Sequence, residues 1–316
     1  MRRGGAVTKT VFTVLCICLC LYAFFTIAML LWGLLTSLKF YRDFEDLNNV
    51  MGFPNLNPNE LFNSRDTFFR LANYKTIIEN FVIERRDVYY ATGSEPIVHS
   101  CKAGFGEMLL NTLLYTVGGA LIYAIMPALT AYLCAKYPYK LSKIIIVAYT
   151  LMMCMPIVGN TPFELTFLRN TGLYDNIFGN YLQKMTGGGM YFFVYLAYFK
   201  GVPETYREAA SIDGASELRI MTRIYFPLAV KIISTVFLIQ FVALWNDYQT
   251  PLLYLPTHPT LAYGVYYVSY EALNPTFYHT PIRIAGLMLL AVPIIILFAI
   301  FKDRLMGDIT LGGIKE

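Results

Sequence analysis

Residues 202–227 read VPETYREAASIDGASELRIMTRIYFP, a polar, charged stretch set between apolar runs. Pro203 lacks an N–H that the first turn of a helix leaves unpaired in any case, and Glu204 and Glu208 stand where the positive end of a helix dipole favours carboxylates. Helix formers continue to Ile212. The pair Asp213-Gly214 predicts a stop, because Gly accepts positive φ and Asp bonds its own backbone. A second helix is predicted from Ser216, a suitable N-cap, with Arg219 and Arg223 four residues apart on one face and Pro227 as the break. The stretch therefore predicts a short helical hairpin carried between two membrane-facing segments.

With 316 residues, 56% hydrophobic and 15% charged, and a mean hydropathy of +0.49, the chain is too apolar for an ordinary soluble domain and reads as a membrane protein. The net charge of +4 does not point to nucleic acid, because the basic residues lie beside apolar runs and form no basic domain. Cys16, Cys18 and Cys20 lie in the first apolar run, Cys134 and Cys154 in later ones, and Cys101 alone in a polar loop, so no disulfide pair is suggested. Residues 11–38 carry no formal charge and follow Arg2, Arg3 and Lys9. They exceed a signal-peptide core and show no convincing small-residue cleavage site, so they are expected to stay as a membrane span.

Five further apolar runs follow. Residues 39–104 form a polar stretch with turn signals at Asn55, Pro58, Gly93 and Pro96, long enough for a small cap of helices. Residues 108–135 form a second span that opens on Asn111-Thr112-Leu113 and contains Pro127, and residues 144–163 a third. The fourth is short: only 185–199 is free of charge, so the helix either begins near Ile177 and includes Gln183 and Lys184 or starts at the Gly187 to Gly189 run. A lysine there predicts a span partly buried in protein. Residues 225–246 form the fifth, with Lys231 near enough to an end to snorkel, and 284–301 the sixth, around Pro293. The predicted fold class is all-α and polytopic with six transmembrane helices. Arg2, Arg3, Lys9, Lys136, Lys140, Lys143, the 202–227 hairpin, Lys302 and Arg304 all fall on one side, which predicts cytoplasmic N- and C-termini. Residues 39–104, 164–176 and 247–283 then lie outside. The expected organisation is a first span and its tail at 1–39, an external cap at 40–104, and a core at 105–316 that ends in a cytoplasmic tail at 303–316.

Glu208, Ala209, Ala210, Gly214, Ile224 and Pro227 keep the spacing Glu-Ala-Ala, three residues, Gly, nine residues, Ile-x-Leu-Pro, with Phe226 in place of the usual Leu. In this the chain resembles the membrane permease subunits of binding-protein-dependent ABC importers. Further likenesses are to the sugar-type permeases. They comprise Thr36-Ser37-Leu38-Lys39 at the end of the first span, the Asn73-Tyr74 helix, Leu244-Trp245-Asn246-Asp247, and the tail Leu311-Gly312-Gly313-Ile314-Lys315-Glu316. The resemblance covers about residues 105–316 and is closest to the smaller of the two maltose-type permeases. It implies a type I ABC importer permease fold and a coupling helix at 203–213, with Glu208, Ala209, Ala210, Asp213, Gly214, Ile224 and Pro227 meeting a cytoplasmic ABC ATPase dimer. It implies that Gly312, Gly313 and Lys315 reach the same ATPase. A second homologous permease, an extracytoplasmic solute-binding protein and the lipid bilayer complete the expected partners, with no nucleic acid among them.

No G-x-x-x-x-G-K-[ST] occurs, so ATP and Mg are expected on the ATPase and no cofactor on this chain. His99, His258 and His279 fall in predicted external loops without Cys or Glu at metal-ligand spacing, so no metal is expected. No catalytic residues are expected, and this chain is read as a transport subunit rather than an enzyme. The predicted spans hold essentially no paired carboxylates, which weakens a self-powered carrier and leaves it, with an importer of a non-sugar solute, as the alternative. A sugar crossing the membrane needs a few polar partners and aromatic faces. Trp245, Asn246 and Asp247, Asn111 and Asn160 are the candidates in the outer half of the pathway.

Overall fold

The computed structural model describes residues 3–45, 49–54, 71–90, 95–155, 159–185, 189–270 and 274–306. Helices α1 (Arg3–Ser37), α2 (Tyr41–Glu45) and α3 (Ala72–Asn80) precede two antiparallel strands, β1 (Ile83–Tyr90) and β2 (Pro96–Ala103). Helices α4 (Phe105–Leu113) and α5 (Gly119–Lys136) form one continuous rod through a π-helical turn at Leu114–Gly118. Then come α6 (Lys140–Cys154), α7 (Thr161–Asn170), α8 (Ile177–Met185), α9 (Gly189–Gly201) and α10 (Thr205–Ile212). Helix α11 (Glu217–Ile220) passes through a second π-helical turn, Met221–Tyr225, into α12 (Phe226–Trp245). Helices α13 (Gln249–Tyr254) and α14 (Leu261–Tyr270), a 3-10 turn at Pro275–Tyr278 and α15 (Thr280–Met306) complete the order. Among the described residues four helices are long and apolar enough to cross a membrane: Lys9–Ser37, Phe105–Lys136, Glu217–Trp245 and Thr280–Phe301.

The chain divides into two compact units, one from Met1–Phe81 with Val265–Pro293, the other from Val82–Gly264 with Ile294–Glu316. In the first, α1 exposes apolar side chains on every side along most of its length, as a lipid-facing helix does. A helix end leaves its last carbonyls without partners, and here a side chain supplies them. Asn73 Nδ2 donates to the carbonyls of Ser37 and Lys39 at 2.8 Å each, and Tyr74 Oη lies 2.7 Å from Ser37 Oγ. Lys39, fully buried, donates to the carbonyls of Asn49 at 2.7 Å and Val50 at 3.2 Å. The Asn-Tyr helix and the Thr-Ser-Leu-Lys end of the first span are thus one structural joint. Since each such bond is worth about 1 kcal/mol, Asn73→Ala should cost about 2 kcal/mol. A thermal midpoint in nanodiscs lower by several degrees is the expected reading.

In the second unit, Ala124, Ala128 and Ala131 repeat at helical spacing along α5 and bring the backbone of α9 close, so that Phe192, Tyr195, Leu196 and Phe199 fill the space between. Tyr149 of α6 stacks on Phe192 at 4.1 Å and 6°. Ile220 of α11, Tyr225 of the second π-helical turn, and Ala229 and Val236 of α12 close this core.

The structure corrects several expectations. The segment expected to lie outside is not all helical: β1 and β2 pair from Ile83 opposite Ala103 to Tyr90 opposite Pro96. Alternation drives this, with Ile83, Tyr89 and Ala103 buried, Val88 facing Val98, and Glu84 facing Lys102 at 2.5 Å. Pro96 begins its strand, the position where a missing N–H does least harm. Pro227 does not break a helix: the π-helical turn just before it opens the ladder and lets the rod continue from Glu217 to Trp245. The third apolar run is interrupted, since α6 ends at Cys154 and Thr161 starts a new helix. The fourth is two helices, α8 and α9. Helix α15 runs on to Met306, so the tail begins as helix. Asn55, Pro58, Gly93, Gly187, Gly188 and the candidates Gly312, Gly313 and Lys315 lie outside the described residues.

Candidate functional site

The hairpin is built as its sequence suggests, with its start shifted. Helix α10 begins at Thr205, two residues after Pro203, with Glu204 in the cap position. It ends in a Schellman arrangement: Gly214 N donates to Ser211 O at 3.1 Å and Ala215 N to Ala210 O at 2.9 Å, with Gly214 at φ +74°. Ser216 takes the N-cap place of α11 in extended backbone, but its side chain makes no capping bond. No residue of α10 is buried. Glu208, Ala209, Asp213 and Gly214 are exposed, Ile212 stands 87% exposed, and Tyr206 and Leu218 are exposed as well. Ala210 packs against the core, Ile224 is half-buried and Pro227 is exposed.

The hairpin is fixed at its root. Lys136, buried at the end of α5, donates to Glu204 Oε1 and to Val202 O, both at 2.8 Å, and sits 4.9 Å from the centre of the Tyr225 ring. Arg207 donates to Glu217 Oε1 at 3.1 Å over the Tyr137 ring at 5.1 Å, and Tyr137 donates to the same carboxylate.

Further along the α4–α5 rod, at its π-helical turn, a connected polar network begins. Tyr115, in the first π-helical turn, donates to Asp247 Oδ2 at 2.6 Å and accepts from Lys184 Nζ at 3.2 Å. Lys184 also donates to Asn180 Oδ1 at 2.6 Å, and Asn180 donates to Gln183 Oε1 at 3.2 Å. Gln183 donates to Glu164 Oε2 at 2.9 Å, and Glu164 accepts also from Tyr254 at 2.9 Å and Asn160 at 2.6 Å. The lysine in the short fourth run is thus buried and satisfied by protein groups, which is how a charge is tolerated at such a level.

Of the candidate pathway residues, Asp247 and Asn160 join this network from its two ends. Asn111 is buried and donates to Pro259 O at 3.2 Å, a structural tie to the loop before α14. Trp245 is buried and stacks on Phe241 at 5.7 Å. Asn246 is exposed and donates back to Val242 O at 2.9 Å. Tyr115, Glu164, Asn180 and Tyr254 carried no sequence signal of their own; Gln183 and Lys184 carried one, as polar residues in an apolar run.

A second junction surrounds Asp175, a non-glycine residue at φ +56°. Its buried carboxylate accepts from Thr257 N at 3.0 Å and Thr257 Oγ1 at 2.7 Å, and it pairs with His99 of β2 and with His258 at 3.5 Å. Burial pushes this carboxyl up, but the bonds from His258, Thr257 and His99 outweigh it and hold it below the usual value of 3.8. A depressed folded pKa adds stability above the unfolded value and loses it as pH falls through the folded one. The protein should therefore weaken below about pH 3.8, and Asp175→Asn should flatten that part of a profile of unfolding midpoint against pH. His279 instead pairs with Glu45 at 2.9 Å within the first unit.

The family model for the binding-protein-dependent transport system inner membrane component matches residues 122–307, more than half of the chain. The probable starch degradation products transport system permease protein AmyC of Thermoanaerobacterium thermosulfurigenes is 29% identical over 218 residues, 66% of this chain and 76% of that protein. The melibiose/raffinose/stachyose import permease protein MelC of Bacillus subtilis is 26% identical over 216 residues, 68% of this chain and 78% of that one. The trehalose/maltose transport system permease protein MalG of Thermococcus litoralis is 22% identical over 249 residues, 78% and 84%. A crystal structure of a bacterial ABC transporter involved in the import of the acidic polysaccharide alginate superposes with a TM-score of 0.66 at 19% identity, covering 96% of this chain and 98% of that one, a likeness of fold. Its long apolar helices, its exposed Glu-Ala-Ala hairpin and the family match agree, and the chain belongs to the inner membrane components of binding-protein-dependent transport systems, the non-enzymatic, multi-pass permease subunits of ABC importers.

Proposed function

We propose that this permease forms the translocation pathway for a sugar or oligosaccharide together with a second, homologous permease. Relatives named for starch degradation products, for melibiose, raffinose and stachyose, and for trehalose and maltose support a carbohydrate. The observation that carries the mechanical part is the α4–α5 rod. At 1.5 Å per residue, Tyr115 and Lys136 stand about 30 Å apart along it, the thickness of a bilayer core. The polar network is attached at the π-helical turn and the hairpin at the Lys136 end, so the rod supports a reading in which solute passes near the turn and ATPase subunits push at the opposite face.

In this reading six transmembrane helices place both termini in the cytoplasm, with α6 and the α8–α9 pair as the two spans too short to cross unaided. Glu208, Ala209, Ala210, Asp213 and Gly214 enter a cleft of the ATPase dimer, which holds ATP and Mg, while Ile224 and Pro227 fix the exit of the hairpin. Gly312, Gly313 and Lys315 meet the same dimer. The strands β1 and β2 belong to an external surface for the solute-binding protein, and Trp245 and Asn246 flank the pathway with Asp247, Asn111 and Asn160.

The test has two arms. A ligand screen on the cognate binding protein is expected to return a sugar, and co-purification from the membrane an ABC ATPase. A binding protein that takes only amino acids or peptides ends the carbohydrate assignment and leaves the permease assignment standing. Deleting residues 311–316 is expected to lower uptake without changing membrane insertion, and unchanged uptake removes the tail from the ATPase contact.

A further inference from the structure

The network around Tyr115 has a feature that a static polar core does not need. It is mounted on a π-helical turn, Leu114–Gly118, within an otherwise α-helical rod. A wide turn is held less well by its own ladder than an α-helical one and leaves a backbone carbonyl for an outside donor. Tyr181 of α8 meets that need, donating to Leu114 O at 2.5 Å. One turn further along α8, Lys184 reaches the Tyr115 hydroxyl and lies 4.3 Å from the centre of its ring. The approach is close because the facing positions are glycines: a Cβ on Gly118 would overlap the Tyr181 ring, and one on Gly119 would lie 3.0 Å from Lys184 Cε and 2.8 Å from Leu244 Cδ1.

We propose that α8 is a clamp that holds Leu114–Gly118 in the π-helical register, and that release of this clamp is a step of the transport cycle. While it is closed, the Tyr115 hydroxyl bridges the Lys184 ammonium and the Asp247 carboxylate, so α8, the rod and the outer end of α12 are tied through one phenol. If the turn relaxes to α-helix, the residues before it rotate by on the order of 100° relative to those after it. Tyr115 then leaves Asp247, and the buried ammonium loses its bridge to the carboxylate. Lys184 then keeps only the Asn180 amide oxygen, and since an under-compensated buried charge is costly, it moves with the turn, so the change is a switch between two arrangements rather than a graded deformation. Tyr181, Lys184, Tyr115 and Asp247 are positioning residues in this account; none of them need touch solute.

The role in the cycle rests on the transporter reading above, but the clamp itself does not, and one experiment separates them. Tyr181→Phe, Tyr115→Phe and, as a control, Tyr198→Phe are prepared in the transporter assembled with its ATPase in nanodiscs. Tyr198 donates to Leu228 O at 2.6 Å, so its variant also loses one phenol-to-carbonyl bond, but far from the turn. Hydrogen exchange of the amides of residues 114–119 is measured alongside ATP hydrolysis without binding protein. Loss of one bond of about 1 kcal/mol predicts exchange about fivefold faster in Tyr181→Phe, a comparable rise in solute-independent hydrolysis, and neither change in Tyr198→Phe. Should Tyr115→Phe fail to insert, Tyr181→Phe decides alone. Unchanged exchange overturns the clamp, and faster exchange with unchanged hydrolysis overturns its place in the cycle. A parent protein that hydrolyses no ATP in any assembly fails the transporter reading, while the exchange result still stands.

Discussion

Gly214→Val is expected to cut coupled solute uptake at least tenfold while leaving the amount of protein in the membrane unchanged. Gly214 sits at φ +74°. A left-handed backbone costs an ordinary L-residue about 1–2 kcal/mol, and a β-branched side chain does worse. The Schellman bonds from Gly214 to Ser211 and from Ala215 to Ala210 depend on that angle, so the penalty falls on the end of α10 and on the path into α11. Burial within α10 offsets little of the loss, because none of its residues is fully buried and Ala210 contributes a single partly buried methyl against the core. A total of about 3 kcal/mol leaves the intended tip a minor conformer, which is a loss of more than tenfold in the population able to seat in a partner. Gly214→Asn tests the cause, since Asn tolerates the same angle and should keep most of the uptake. Equal loss from Asn and Val would show that backbone angle is not what matters there.

The second large effect concerns the root of the same hairpin. The Lys136 side chain is 1% exposed and that of Glu204 51% exposed, so the two halves of this ion pair are not equivalent. Removing the buried cation leaves an exposed carboxylate that water can solvate. Removing the carboxylate leaves a buried ammonium with only the Val202 carbonyl and the Tyr225 ring for company. Glu204→Ala should therefore destabilise by about 2 kcal/mol, the partial exposure of the pair keeping it below the cost of a fully buried one. Lys136→Met should cost less, and the double variant should resemble Lys136→Met alone. Unfolding midpoints in nanodiscs measure this; a Lys136→Met loss greater than that of Glu204→Ala would reverse the assignment of which partner is buried.

How much of this was legible beforehand differs from one element to another. The hairpin was readable because every signal in it is local: Pro203 and the acidic first turn, helix formers to Ile212, and a Gly that only a positive φ explains. The span at 108–135 was equally readable, since a long charge-free run has few other uses in a chain of this composition. The strands Ile83–Tyr90 and Pro96–Ala103 were missed because their alternation is diluted by Arg85, Arg86 and Lys102, and only pairing with each other makes the pattern meaningful. Pro227 was misread because the rule that proline ends a helix is itself local, whereas the π-helical turn that relieves it belongs to the whole rod.

The sequence by itself determined the class of molecule, the long apolar helices and the exposed hairpin, because these follow from composition, helical period and turn chemistry over neighbouring residues. Only the tertiary structure decided which polar groups act together. Asp247 and Asn160 meet through Tyr115, Lys184, Asn180, Gln183 and Glu164, whereas Asn111 and Asn246 spend their amides on nearby carbonyls. The physical reason is that a buried charge must find partners wherever packing brings them, and those partners lie on helices far apart in the chain.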